Sequence, residues 1–467
     1  MKVRNMTEGR PLPLILKVAL PLMVGNIFQQ LYTVVDARIV GSVEGTAALA
    51  ALGNSDWFNW LFLGVIQGFA QGFTIPMAQS FGAERYDDLK KYVGHSITLA
   101  LITSVLLSLI ALLSVSPAMD ILEVSPIIRP MSTRYISILF AAFPIVMAYN
   151  LMAGILRSLG DSRTPLIAMA VASVVNIALD ILFVAVFHWG VQGAAAATVI
   201  AQACSSIYCF IALASISIVR PSRQDLKINM RTSLKLIGLG APIAFQNAII
   251  GVGGMVVQRS VNTLQASINK DSVGFVAGYT ATNKLYGVLE IAAISFGYAT
   301  STFCGQNLGA KKISRIKKGL HVSALLGIVT ALVITAFMFI FGKGIVSGFL
   351  SGTPEEIDSA LKVSLEFLYL MSGCLPVLYI LHIYRSALQG MGNTVMPMLS
   401  GIAEFIMRTL SVILLPYVIG YQGVFWAEIL AWAGADLILV PSYYLFIRRL
   451  SINPGYQHSQ KEMESDA

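Results

Sequence analysis

The sequence predicts an all-α integral membrane protein, with about 12 transmembrane helices arranged as two parallel six-helix repeats (lobes) around a central cleft. Composition is the first reason. Hydrophobic residues make up 56% of the chain and charged ones 12%, with a mean hydropathy of +0.73, whereas soluble domains are roughly 25% charged. The second is a series of apolar runs of about 20 residues, each long enough to cross roughly 30 Å of hydrocarbon as a helix. The alternating pattern of a membrane β-barrel is missing. The third is an internal repeat. Gln79, Gly82 and Ala83 return roughly 230 residues on as Gln306, Gly309 and Ala310. Lys90-Lys91 return as Lys317-Lys318, and Pro144, Gly160 and Pro165 as Pro376, Gly392 and Pro397. Gly190-x-Gln192-Gly193 returns as Gly420-x-Gln422-Gly423, and Pro21 and Asn26 return as Pro242 and Asn247.

The elements follow in order. The first apolar stretch, near 12–36, comes after Lys2, Arg4 and Arg10 but carries Pro21, Asn26, Gln29, Gln30 and Asp36 and no small-residue cleavage site. It reads as a span and not as a cleaved signal. The next spans lie near 48–80, 93–115, 135–156, 165–188 and 193–219, closing an N-lobe over 1–219. The polar run Arg220 to Ser233 reads as a cytoplasmic linker between halves. Spans near 234–262, 273–303, 320–347, 360–388, 395–418 and 423–447 make a C-lobe over 234–450, and 451–467 reads as a polar, disordered cytoplasmic tail. Lys and Arg crowd the N-terminal arm, the 81–92 loop, 220–235 and 311–318, all on the side of the termini. By the positive-inside rule both termini are cytoplasmic, with Asp225 inside and Gly352 outside. The net charge of +8 then reflects topology and anionic lipid, not nucleic acid. Six spans per half make the repeats parallel, the arrangement of secondary transporters with a site near mid-membrane.

Charges inside spans mark function by default, since each is expensive in hydrocarbon. Asp36 closes the first span and Asp180 lies deep in the fifth. Asn176 and Asp180 are four apart and share a helix face; an amide beside a carboxylate suits a small hard cation or a proton carrier raised by burial. Thr198 adds a hydroxyl. The plainer alternatives are a helix cap for Asp36 and an internal hydrogen bond for Asp180. The matching second-half residues are Val257 and Val412, so the expected coupling site lies in the first lobe alone. Among the second-half charges, Glu404 and Arg408 have the spacing of an intrahelical ion pair, and Arg385 reads as a snorkelling residue at a helix end. Lys284 and Glu290 do not share a face. Glu290, Glu428 and Asp436 are expected to line the cleft and attract cationic substrate. Tyr32 and Tyr135 are expected wall residues, aromatic faces near carboxylates being suited to organic cations. Cys204, Cys209, Cys304 and Cys374 have no metal-ligand spacing and read as small core residues. The five histidines are scattered, and no Gly-x-Ser-x-Gly elbow, phosphate loop or His-Glu-x-x-His is present. A membrane-embedded transferase finds no catalytic constellation, so no enzyme is expected.

Several motifs, in order, resemble one family. Ala19-Leu-Pro-Leu, Gln29-Gln-Leu-Tyr-Thr-Val-Val-Asp36, Val40-Gly41 and Leu49-Ala-Ala-Leu-Gly53 look like the opening of multidrug and toxic compound extrusion (MATE) transporters of bacterial and archaeal type. So do Gln79-Ser-Phe-Gly-Ala83, Leu156 to Pro165, Asn176 to Asp180, Gly305 to Ala310 and Leu388 to Gly392. The resemblance runs from about residue 7 to 450. It implies an antiporter exporting organic, mostly cationic amphipathic compounds by alternating access, driven by Na+ or H+, with no cofactor beyond that ion. It implies a first-lobe cation site at Asp36, Asn176, Asp180 and Thr198, which would hold Na+ if that is the coupling ion, and substrate contacts at Tyr32 and Tyr135. Residues 234–257 contain no Asp or Glu, so a second Na+ site of the seventh-span kind is not expected. A monomer in the plasma (inner) membrane, with lipid and small organic cations as its partners, completes the expectation. The alternative is a lipid-linked oligosaccharide flippase of the same broad superfamily, which needs a cationic cleft; Arg259, Lys284, Arg385 and Arg408 speak for it and the first-lobe acids against it.

Overall fold

The computed structural model describes residues 3–121, 124–126, 128–268, 273–350 and 353–452; Gly352 and the tail from 453 lie outside the described residues. The first repeat comprises α1 (Pro11–Glu44), α2 (Thr46–Gly82), α3 (Tyr86–Ile121), α4 (Arg129–Ala141), α5 (Phe143–Ser158), α6 (Arg163–Asp180) and α7 (Gly190–Ala214). The second comprises α8 (Met230–Ile268), α9 (Val273–Leu289), α10 (Ile291–Gly309), α11 (Ile313–Ser347), α12 (Pro354–Gly373), α13 (Leu375–Gly390), α14 (Val395–Leu414), the short α15 (Pro416–Ile419) and α16 (Gln422–Ile452). No β-strand occurs among the described residues.

Among the described residues, ten helical stretches are long and apolar enough to span a membrane, or up to 12 if each of two bent pairs is one span. The pairs are α4 with α5, bent by 47°, and α12 with α13, bent by 49°. Pro144 and Pro376 sit in the first turn of the second helix of each pair. Proline lacks an N–H and its ring displaces the carbonyl a turn earlier, so both repeats break where the sequence repeats its proline. The faces turned to lipid repeat as well. Leu113 on α3 is 79% exposed, and Ile340, its counterpart on α11, is 70% exposed.

The chain gathers into two compact units. The first holds Met1–Gly9, Lys17–Ala248 and Gly305–Lys311; the second holds Arg10–Leu16, Ile249–Cys304 and Lys312–Ala467. In lipid, helix association depends on close packing more than on the hydrophobic effect, and the first unit contains a clear case. A Cβ on Gly82 would strike the carbonyl of Gln306, and one on Gly309 would strike the carbonyl of Gln79. The repeated Gln-x-x-Gly motif is therefore a reciprocal backbone crossing. Beside it the N-terminal arm is clamped. The Met6 N–H donates to Gln306 Oε1 (2.7 Å), Gln306 Nε2 donates to the Ser158 carbonyl (2.8 Å), and Asn307 Nδ2 donates to the Met6 carbonyl (3.1 Å).

The linker is docked, not loose. Thr98 Oγ1 donates to the Leu226 carbonyl (3.0 Å) and the Asn229 N–H donates to His95 Nε2 (3.2 Å), both on α3. The first unit's core includes the mutually packed rings of Phe62, Phe140 and Phe143. In the second unit Phe367 stacks on Tyr279 and on Phe425. All four cysteines are free thiols.

Candidate functional site

In the first unit, three helices each contribute an i, i+4 pair to one polar cluster: Tyr32 and Asp36 from α1, Asn176 and Asp180 from α6, and Thr198 and Gln202 from α7. Such pairs share a helix face by construction. Asn176 and Asp180 are fully buried, and Asp36 is 7% exposed. Asn176 Nδ2 donates to Thr198 Oγ1 at 3.4 Å, joining α6 to α7. The Tyr32 hydroxyl lies near the side chains of Gln29 and Gln202 and in the field of both aspartates. Asp36 and Asp180 are close enough for their charges to repel. Helix α6 passes into a π-helical turn, Ile181–Val186, immediately after Asp180; such turns gather at functional sites because they break the regular backbone ladder.

Buried polar atoms normally have partners, and this pocket departs from the rule. Asn176 Oδ1, both Asp180 carboxylate oxygens and Gln202 Oε1 are buried and without a hydrogen-bond partner among the described residues. All are acceptors. A set of acceptor oxygens around two repelling carboxylates is satisfied by a cation or a proton, and hard oxygen donors suit a small hard ion. No cluster of three or more His, Cys, Asp or Glu fit to hold a metal occurs among the described residues; the neutral oxygens of Asn176, Thr198 and Gln202 make up the rest of this set. Gln202 escaped the sequence reading. Its signal was there, one helical turn after Thr198 on the same face.

Tyr135 is buried in an apolar cluster with Val40, Leu52, Val184 and Val191 in the first unit.

The second unit carries a buried chain of alternating charges. Arg385 Nη2 donates to Glu404 Oε2 (2.7 Å), and Arg408 Nη2 donates to Glu404 Oε1 (3.0 Å) and to Glu428 Oε2 (2.9 Å). The intrahelical pair of Glu404 and Arg408 is therefore present but belongs to a larger network. The snorkelling expected of Arg385 does not occur: the residue is 7% exposed, because Glu404 on the neighbouring α14 gives its guanidinium a buried partner. Glu428 is held by Arg408 rather than presented bare. Glu290 Oε1 meets His382 Nε2 at 3.1 Å. Asp436 lies in the field of Arg385 and Glu404, with Oδ1 lacking a hydrogen-bond partner among the described residues.

Comparison with known proteins agrees with this architecture. Residues 21–182 and 242–414, one segment in each repeat, match the MatE family. A probable multidrug resistance protein, YoeA of Bacillus subtilis, is 26% identical over 71% of this chain and 72% of its own length. The multidrug export protein MepA of Staphylococcus saprophyticus is 22% identical over 93% of this chain and 94% of its own. Among solved structures, a MOP superfamily transporter from Pyrococcus furiosus superposes with a TM-score of 0.88 at 19% identity, covering 96% of this chain and 98% of that one. An internal repeat, ten to 12 apolar helices among the described residues and a family match across both halves lead to one conclusion: this chain belongs to the MatE family, the multidrug and toxic compound extrusion transporters.

Proposed function

We propose that this protein is an antiporter that exports organic, mostly cationic amphipathic compounds from the cytoplasm in exchange for Na+ or H+, by alternating access. The observation that carries the reading is the cluster of buried acceptor oxygens on Asn176, Asp180 and Gln202 beside Asp36. Asp180, buried with neither carboxylate oxygen hydrogen-bonded among the described residues, needs a counter-charge or a proton. A coupling ion supplies it in one state and a cationic substrate in the other, so the two exchange. Tyr32, near Gln202 and in the field of both acids, is the aromatic wall at which substrate and ion compete. The bends at Pro144 and Pro376 give each repeat an internal hinge. The names of the relatives, a probable multidrug resistance protein and a multidrug export protein, favour drug export over the flippase reading. The cations that a flippase would use for pyrophosphate are partly neutralised here, Arg385 and Arg408 by Glu404 and Glu428. The protein works as a monomer in the plasma membrane with both termini cytoplasmic.

The test is uptake of a fluorescent organic cation into inverted vesicles with pH and Na+ gradients imposed separately. One of the two gradients should drive accumulation in the native protein, and neither should in Asp180→Asn. Equal gradient-driven uptake in the variant would refute the coupling site.

A further inference from the structure

We infer that Arg408 is a tethered cation that supplies, at the second unit's copy of the Asn176–Thr198 contact, a fixed charge in place of an exchangeable ion. The inference rests on reading Asp36, Asn176, Asp180 and Thr198 as the coupling site. The repeat fixes the correspondence. Counting from Pro165 and Pro397, Asn176 matches Arg408 and Asp180 matches Val412; counting from Gly193 and Gly423, Thr198 matches Glu428. Counting from Asn26 and Asn247, Tyr32 matches Gly253 and Asp36 matches Val257. The contacts agree with this register. The bond from Asn176 to Thr198 at 3.4 Å recurs as the bond from Arg408 to Glu428 at 2.9 Å.

The second copy is built around the guanidinium. Where the first unit has the bulk of Tyr32, Gly253 leaves space: a Cβ there would already lie 3.1 Å from Arg408 Nη1. Where the first unit has two aspartates, the second has Val257 and Val412, both buried. The acids facing the cation are Glu404 and Glu428, and Arg385 shares Glu404. Arg408 is 5% exposed and keeps its proton under all physiological conditions. A guanidinium on a side chain neither leaves nor deprotonates. The second copy therefore keeps a fixed cation throughout a transport cycle, and ion exchange is confined to the first unit.

Removing the tether should leave a vacant site for a free cation of the same shape. The experiment is thermal unfolding of purified native protein and Arg408→Ala, titrated with guanidinium chloride at millimolar concentration and with choline chloride as the ionic-strength control. Arg408→Ala should unfold several degrees lower. Guanidinium should restore the loss saturably, with a midpoint in the roughly millimolar range expected of one small charge-assisted ligand, and choline should not. Native protein should respond to neither. Native-like stability of Arg408→Ala, or no saturable rescue, would overturn the inference. If Arg408→Ala cannot be recovered folded, Arg408→Lys and Arg408→Gln decide. The lysine variant, which keeps a tethered cation, should be the more stable of the two; equal stability would overturn the inference. These measurements read the second unit without transport, so a failure of Asp180→Asn to uncouple would refute the proposed function and leave their result standing.

Discussion

In the first unit, α1, α6 and α7 turn Tyr32, Asn176 and Thr198 toward one another, with Asp36 and Asp180 a helical turn further along. In the second, α8, α14 and α16 turn Gly253, Arg408 and Glu428 together, with Val257 and Val412 in the places of the acids. The first arrangement leaves acceptor oxygens without partners; the second pairs its carboxylates with guanidinium groups held by the chain. A duplicated bundle can thus keep its helix geometry and divide its chemistry. On the proposed reading, one copy is left incomplete for a mobile ion, and the other carries its cation on a side chain. The physical difference is who supplies the counter-charge.

The comparison breaks first at Asp180. Asp180→Asn should lower gradient-driven efflux by roughly 100-fold or more with expression unchanged, because a neutral amide cannot balance an exchanging ion in a low-dielectric site. Asp36→Asn should do nearly the same. The double variant should be little worse than either single one, as expected of two groups acting on one ion; additive losses in efflux would mean two independent sites.

The second unit should respond through stability instead. Glu404→Gln strands Arg385 while Arg408 keeps Glu428, and should cost about 3–5 kcal/mol. Adding Arg385→Met should recover much of that loss, whereas adding Arg408→Met should not, since it strands Glu428 as well. Denaturation of both double variants in detergent measures this. Dead transport in Glu404→Gln at native stability would move the coupling site to the second unit.

A smaller effect is expected at Gln202. Gln202→Leu removes one neutral oxygen and should raise the half-saturating concentration of the coupling ion roughly tenfold, with the rate at saturating ion changed by about twofold or less. An altered dependence on drug with an unaltered dependence on the ion would make Gln202 only a support for Tyr32. The smallest change is Gly253→Ala, which crowds the Arg408 guanidinium at 3.1 Å and should cost about 1–2 kcal/mol without altering the ion dependence of efflux, read from the same denaturation and uptake assays.

Sequence alone determined the helical membrane class, a count of about 12 apolar helices and the repeat, because each rests on one-dimensional signals. A span needs only a run of apolar residues as long as the bilayer is thick, and a proline break stays with its proline. Asn176 with Asp180, and Glu404 with Arg408, were legible for a similar reason: four residues along one helix always share a face. Contacts between helices were not. That Arg385 is buried on Glu404 and does not reach for water, that Glu428 faces Arg408, that Gln202 joins Tyr32, and that Gly82 and Gly309 admit each other's backbone depend on which neighbouring helix each face meets. Only packing decides that, since a charged side chain's fate in a membrane is set by whether a partner stands opposite it, and the partner lies on another helix, far away along the chain.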